Sequence, residues 1–73
     1  MSRALKYKQV IKALEYFGYI KTRQRGSHII FVNNEGKITV VPKHTNGEVM
    51  AGTVGKICRD IDILYEEFEK HIR

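Results

Sequence analysis

Several kinds of residue are scarce in this chain, and each shortage excludes a class of protein. The 73 residues include one proline, no tryptophan and one cysteine, Cys58, which cannot form an internal disulfide. No apolar run approaches the ~20 residues of a membrane span, and no group of cysteines and histidines has zinc-site spacing. We therefore expect a single domain over residues 1–73 that uses no metal or cofactor. Because no apolar signal segment follows Met1, we expect it in the cytoplasm.

Acidic residues are also scarce, and the basic excess lies at the N-terminal end. Eight Asp and Glu stand against thirteen Lys and Arg, which gives a net charge of +5. Residues 1–25 hold seven basic residues and one acid, whereas residues 57–73 hold three basic residues and five acids. Concentrated positive charge favours a polyanionic partner, most commonly nucleic acid. A solvated basic face that only confers solubility is an equally weighted alternative. The acids show no pairing or spacing typical of carboxylate catalysis or a magnesium site.

The N-terminal quarter has the hydrophobic period of an amphipathic helix. Apolar residues recur at i, i+3, i+4, i+7 and i+10 from Tyr7 to Phe17. Gly18 follows at once and can adopt the left-handed conformation that ends helices. The pattern predicts a helix near residues 6–17.

Three strands are predicted next from β-branched, aromatic and alternating residues, at residues 19–25, 28–32 and 37–41. Residues 33–36 have turn chemistry and Pro42 ends the last strand. Apolar residues occupy both parities of the second and third strands, so the pattern does not decide which face carries His28.

The C-terminal part predicts a loop and one or two helices. Residues 43–52 are predicted as a loop and Thr53 as the N-cap of a helix that reaches Ile61, with Cys58 in its apolar stripe. A last short helix spans 65–72, unless the two helices are nearly continuous. The order α-β-β-β-α predicts an α+β fold in which the helices cover one face of a three-stranded antiparallel sheet.

The first strand carries most of the basic charge of this sheet. Strict alternation places Lys21, Arg23 and Arg25 on one face. Such a face must lie against water or an anion, and we expect part of it on the side of the sheet without helices.

The three histidines are the residues best suited to proton transfer near neutral pH. His71 lies close to the C-terminus and is expected to be exposed. His28 follows Gly26 and Ser27: a glycine lets a ligand backbone approach closely, and the hydroxyl can donate to a phosphate oxygen. From the residues alone, a histidine at a strand end is more often a plain surface residue than a catalytic one.

Three patches in this order resemble the HicA toxins, small ribonucleases of toxin–antitoxin pairs. The patches are Leu14-x-x-x-Gly18-Tyr19 followed by Arg25-Gly26-Ser27-His28, then Val40-Val41-Pro42-Lys43-His44, then Gly52-Thr53-Val54-x-x-Ile57 and Ile63-x-x-Glu66-Glu67-Phe68. The resemblance implies a fold similar to the double-stranded-RNA-binding domain. It also implies a catalytic role for His28, and a structural or assisting role for His44. The chain departs from the family pattern at Asp62 and Leu64, where members tend to carry a glycine and a small capping residue.

The resemblance implies a metal-independent endoribonuclease that cleaves single-stranded mRNA and is inhibited by a HicB-type antitoxin. The fold alone would favour duplex RNA. On this hypothesis His28 acts as general base or acid, and the RNA contacts come from Arg23, Arg25, Gly26, Ser27, Lys43 and His44. Two alternatives are a non-catalytic RNA-binding module on the same fold and a DNA-binding or protein-interaction domain, although no clear recognition helix is present.

Overall fold

The computed structural model describes residues 3–73 and confirms the predicted α+β fold with its three-stranded antiparallel sheet. In chain order the elements are β1 (Leu5–Lys6), α1 (Tyr7–Tyr16), β2 (Ile20–Arg25), β3 (His28–Val32), β4 (Ile38–Pro42), β5 (Glu48–Val49), α2 (Ala51–Ile61) and α3 (Tyr65–Glu69). Among the described residues, none of the helices has the length and apolar character of a membrane span.

The main sheet has the order β2-β3-β4, with both pairs antiparallel. Ile29 and Phe31 of β3 are buried on one face, together with Thr39 and Val41 of β4. The helices cover that face and close a single core, whose apolar members are Leu5, Val10, Ala13, Leu14, Tyr19, Ile29, Phe31, Val41, Val49, Val54, Ile57, Cys58, Ile61, Phe68 and Ile72. Thr39 is satisfied there because its hydroxyl donates to Asp60 at 3.1 Å.

Helix α1 ends as the sequence predicts. Gly18 has φ 88°, and its N–H donates to the Glu15 carbonyl at 3.0 Å. The N–H of Tyr19 donates to the Leu14 carbonyl at 2.9 Å. This pair of bonds is the Schellman motif, and the buried Tyr19 and Leu14 supply its usual apolar contact. The motif turns the chain directly into β2.

Helix α2 ends with the same motif, built on Asp62 instead of a glycine. Asp62 has φ 63°, its N–H donates to the Arg59 carbonyl at 3.2 Å, and the Ile63 N–H donates to the Cys58 carbonyl at 3.0 Å. Aspartate tolerates the left-handed region better than most residues. The two C-terminal helices are therefore separate, so the alternative that they are nearly continuous is wrong.

The predicted loop at residues 43–52 is wrong in its second half. β5 lies within it and pairs with β1, Leu5 opposite Val49. Helix α2 then starts at Ala51, and the Val54 N–H donates to the Met50 carbonyl at 2.9 Å, so Met50 and not Thr53 is the N-cap. β5 was missed because a two-residue strand is too short to show a hydrophobic period. The N-cap was misplaced because α2 starts without a capping side chain, which is the signal that Thr53 suggested.

Candidate nucleic-acid interface

The alternation of burial along β3 decides which face carries His28. Ile29 and Phe31 are buried under the helices, whereas His28 is exposed and Ile30 and Val32 are half-buried outside the core cluster. Successive side chains of a strand point to opposite faces. His28 therefore lies on the face of the sheet opposite the helices, which we call the open face.

Residues paired across the three strands form rows on the open face. The first row joins Arg25, His28 and Pro42. The other two rows run in the same direction and consist of Arg23, Ile30 and Val40, and then Ile20, Val32 and Ile38. Directly opposed residues of an antiparallel pair share a face, so Arg23 and Arg25 lie beside His28 at one end of the sheet. We call Arg23, Arg25 and His28 the basic corner.

A β-bulge changes the predicted arrangement of β2. The register pairs Lys21 with Phe31 and Arg23 with Ile30, so Thr22 is the extra residue between them. Lys21 therefore shares the face of the buried Phe31, on the helix side of the sheet. The prediction that Lys21 lies on one face with Arg23 and Arg25 is wrong, because strict alternation assumes an unbroken ladder.

The turn between β2 and β3 positions the basic corner. Gly26 has φ 60° in a two-residue loop with Ser27, as the first central position of a type II′ turn requires. The Gln24 side chain donates to the Gly26 carbonyl at 2.9 Å, and the Lys43 N–H donates to the Ser27 carbonyl at 2.6 Å. A Cβ added to Gly26 would meet no atom within 4 Å. The turn is thus fixed from both sides while the space above it is open to a ligand.

The charges of the basic corner are not neutralised within the described part of the chain. Arg23, Arg25 and His28 are exposed. The ion pairs within residues 3–73 involve other cations: Arg3 with Glu69, Lys56 with Asp60 and Lys70 with Glu67. Two free guanidinium groups beside an accessible imidazole can bind a phosphate and exchange a proton with a group held there.

Lys43 contacts the turn between β2 and β3 through its backbone N–H, which donates to the Ser27 carbonyl. Its ammonium nitrogen lies 5.0 Å from the centroid of the Tyr7 ring, at the start of α1. Burial raises the pKa of the Tyr7 hydroxyl, so the ring stays neutral and the contact is a cation–π interaction. The Lys43 side chain thus lies on the helix side, away from His28.

His44 occupies a different part of the surface. It is exposed in the loop after β4, where its carbonyl accepts a hydrogen bond from the Gly47 N–H at 2.9 Å. It lines a groove of about 600 Å³ together with Glu48 and Met50, which His28 does not line. The two histidines therefore do not line a common groove.

The sequence predicted that His71 is exposed, but the structure buries part of it. Its imidazole is half-buried and stacks on Tyr16, with ring centroids 3.5 Å apart. An edge contact with Phe17 at 5.3 Å completes the packing of the C-terminus on α1. These two ring contacts give His71 a structural role. It lies far in the sequence from the residues of the basic corner.

Within residues 3–73, the open face has neither a reactive thiol nor a cluster of metal ligands. Burial raises the pKa of the Cys58 thiol, which keeps it protonated in the core. Among residues 3–73, no three His, Cys, Asp or Glu side chains lie together as metal ligands would.

The sequence interpretation missed the apolar part of the open face. Ile20 is 65% exposed and Ile38 is 58% exposed, and both belong to the row that also contains Val32. The signal was available, because apolar residues at both parities of β3 and β4 imply that each face of the sheet is partly apolar. The open face therefore combines a basic corner with an aliphatic surface.

One comparison with known proteins identifies a family. The model of the family described as the HicA toxin of bacterial toxin–antitoxin systems matches residues 7–63, which include β2, β3, β4 and the basic corner. No curated protein matches the chain.

Proposed function

The chain belongs to the HicA toxin family, and on that premise we propose that it is an endoribonuclease that cleaves mRNA at the basic corner. As a member of this family it is the toxin of a toxin–antitoxin pair. The finer assignment, that cleavage is metal-independent and uses His28, is our hypothesis. A cytoplasmic location is likewise a prediction, consistent with mRNA as the target.

One observation carries this proposal: an accessible imidazole shares its face and its row with a free guanidinium group. His28 is paired with Arg25 across the β2–β3 ladder, and Arg23 is in the next row. The side chains of a strand repeat on one face at about 6.8 Å. A phosphate above the basic corner is therefore within reach of both arginines and of the histidine.

RNA supplies the nucleophile for the cleavage, since each ribose carries a 2′-hydroxyl beside its 3′-phosphate. His28 takes the proton from this hydroxyl while water protonates the leaving 5′-oxygen, or His28 protonates the 5′-oxygen while water takes the proton of the 2′-hydroxyl. The 2′-oxygen bonds to phosphorus and the bond from phosphorus to the 5′-oxygen breaks, leaving a 2′,3′-cyclic phosphate and a 5′-hydroxyl. Positioned proton transfer of this kind contributes about 10²–10⁴-fold in rate.

The other groups at the corner stabilise the charge that develops on the phosphate. Arg23 and Arg25 donate charge-assisted hydrogen bonds to the non-bridging oxygens. Ser27 donates its hydroxyl, and Gly26 leaves room for the RNA backbone. Lys43 and His44 were predicted as RNA contacts, and in this proposal they act further along the strand: Lys43 from its contact with Tyr7, and His44 from the groove that it lines.

A non-catalytic RNA-binding module is the second candidate, and a specific observation favours it. Within residues 3–73, no side chain forms a hydrogen bond that orients the His28 imidazole. A catalytic base is usually oriented by a third group. In this alternative the imidazole is one more phosphate contact, and RNA is bound without being cut.

The test compares three proteins on the same RNA in EDTA: the wild type, His28→Ala and His44→Ala. We expect the wild type and His44→Ala to cleave, and His28→Ala to lose at least about 10²-fold in rate while its RNA affinity changes much less. Equal cleavage by His28→Ala would exclude the mechanism. Binding without cleavage by all three proteins would favour the module.

Family membership implies an antitoxin as partner, and we propose that it is of the HicB type. The free charges of Arg23 and Arg25 favour acidic side chains in the surface that covers them. Such a surface would block the approach of RNA to His28. The expectation is that purified antitoxin inhibits cleavage and that its complex with this chain weakens as the salt concentration rises.

A further inference from the structure

We propose that the aliphatic rows of the open face form a platform for the unpaired bases of the RNA strand bound at the basic corner. The proposal rests on the proposed function and assigns a place to the part of the substrate that the corner does not contact. The platform consists of Ile30 and Val40 in one row and of Ile20, Val32 and Ile38 in the next.

The position of the platform follows from the direction of β3. His28, Ile30 and Val32 follow one another on the same face, at intervals of about 6.8 Å. This interval is similar to the step between neighbouring nucleotides in an extended single strand. A strand that passes over His28 and continues along β3 would therefore place its next two nucleotides on the two aliphatic rows.

The composition of the rows matches the composition of a nucleotide. The row next to His28 has the cation of Arg23 at the sheet edge and the aliphatic side chains of Ile30 and Val40 beside it. A nucleotide likewise has an anionic phosphate and a flat base whose face is largely apolar. Bases taken out of a helix stack on aromatic or apolar side chains, and the open four-stranded sheet of RNA-recognition motifs stacks unpaired bases on its aromatic residues.

The exposure of the outer row adds to this argument. Ile20 and Ile38 are 65% and 58% exposed on the open face, and neither belongs to the core cluster. Duplex RNA would gain nothing from them, because its bases face inward and its exterior is polar. The platform therefore favours unpaired RNA.

The experiment measures the affinity of two uncleavable ligands by fluorescence anisotropy. One is a short 2′-fluoro oligouridine, and the other is the same backbone without bases. The test protein is the double variant Ile20→Thr/Ile38→Thr, since threonine keeps the strand propensity and removes much of the aliphatic surface. The matched control is Leu64→Thr, because Leu64 is 72% exposed but lies before α3 and not on the sheet.

We expect the double variant to bind oligouridine about three- to tenfold more weakly than the wild type and to bind the abasic backbone equally well. Leu64→Thr should match the wild type on both ligands. Unchanged affinity for oligouridine, or an equal loss on both ligands, would overturn the platform. Unchanged RNA affinity with lost inhibition by the antitoxin would also overturn it, and would assign the rows to protein docking. A wild type that binds oligouridine in this base-dependent way but cuts no RNA would leave the platform standing and exclude the ribonuclease.

Discussion

The β-bulge in β2 leads to a prediction about three basic residues that the sequence makes look equivalent. Lys21, Arg23 and Arg25 alternate along six residues, but Thr22 is inserted in the ladder and turns Lys21 to the helix side. Replacing each by glutamine removes the same unit of charge. Only Arg23→Gln and Arg25→Gln remove it from the face that carries His28.

The magnitude follows from counterion release. For single strands, each neutralised phosphate adds about 0.7 to the slope of log affinity against log salt. If each arginine neutralises one phosphate, its loss weakens RNA binding by about fourfold at ~0.15 M salt and about eightfold at ~0.05 M salt. Lys21→Gln should lower the affinity by less than half of these factors and leave the slope nearly unchanged.

The assay is a salt titration of RNA binding with the wild type and the three variants. A His28→Ala background prevents cleavage during the measurement. The reasoning would be refuted if Lys21→Gln weakened binding and lowered the slope as much as the two arginine variants do. That result would mean that RNA senses the total charge of β2 and not the face on which each charge lies.

Three further predictions concern the fold that positions the site. Asp62→Gly should raise the free energy of unfolding by about 0.5–1 kcal/mol, because glycine has no Cβ penalty at φ 63°. The melting temperature should then rise by about 2–8 °C. A lower melting temperature would contradict the role of Asp62. Phe68→Ala should cost about 3–5 kcal/mol, since Phe68 is fully buried, and urea unfolding followed by circular dichroism should show it largely unfolded, with Phe68→Leu still folded. The Cys58 thiol, buried and with a raised pKa, should react with an aromatic disulfide reagent only as fast as the protein unfolds; immediate reaction of the native protein would show that it is accessible.

The main elements of the fold could be predicted because their hydrophobic periods are clear. The stripe from Tyr7 to Phe17 gave α1 within one residue at each end, and the turn at Gly26 and Ser27 separated β2 from β3. The β1–β5 pair could not be predicted in this way. Two residues do not make a period, and their pairing depends on where the chain returns after β4.

The site could be predicted by residue type but not by geometry. Arg23 and Arg25 were singled out by the basic charge of their strand and His28 by the family resemblance, and the structure places the three together; their role in RNA cleavage stays a prediction. The face of His28 could not be predicted, because both parities of β3 are apolar and only the packing of the helices decides it. The bulge at Thr22 was missed for a similar reason: one extra residue in an exposed edge strand costs little and leaves no mark on composition.

The central claim is that His28 acts as general base on the 2′-hydroxyl, or as general acid on the leaving 5′-oxygen, of an RNA strand bound at the basic corner. Mass analysis of the products from an RNA with one 2′-deoxy residue at a cleaved position tests it most directly. The account predicts that the wild type leaves this linkage intact and cuts unmodified positions to 2′,3′-cyclic phosphate and 5′-hydroxyl ends, while His28→Ala forms these ends at least about 10²-fold more slowly. Cleavage at the 2′-deoxy linkage, or fragments with 3′-hydroxyl and 5′-phosphate ends, would contradict it.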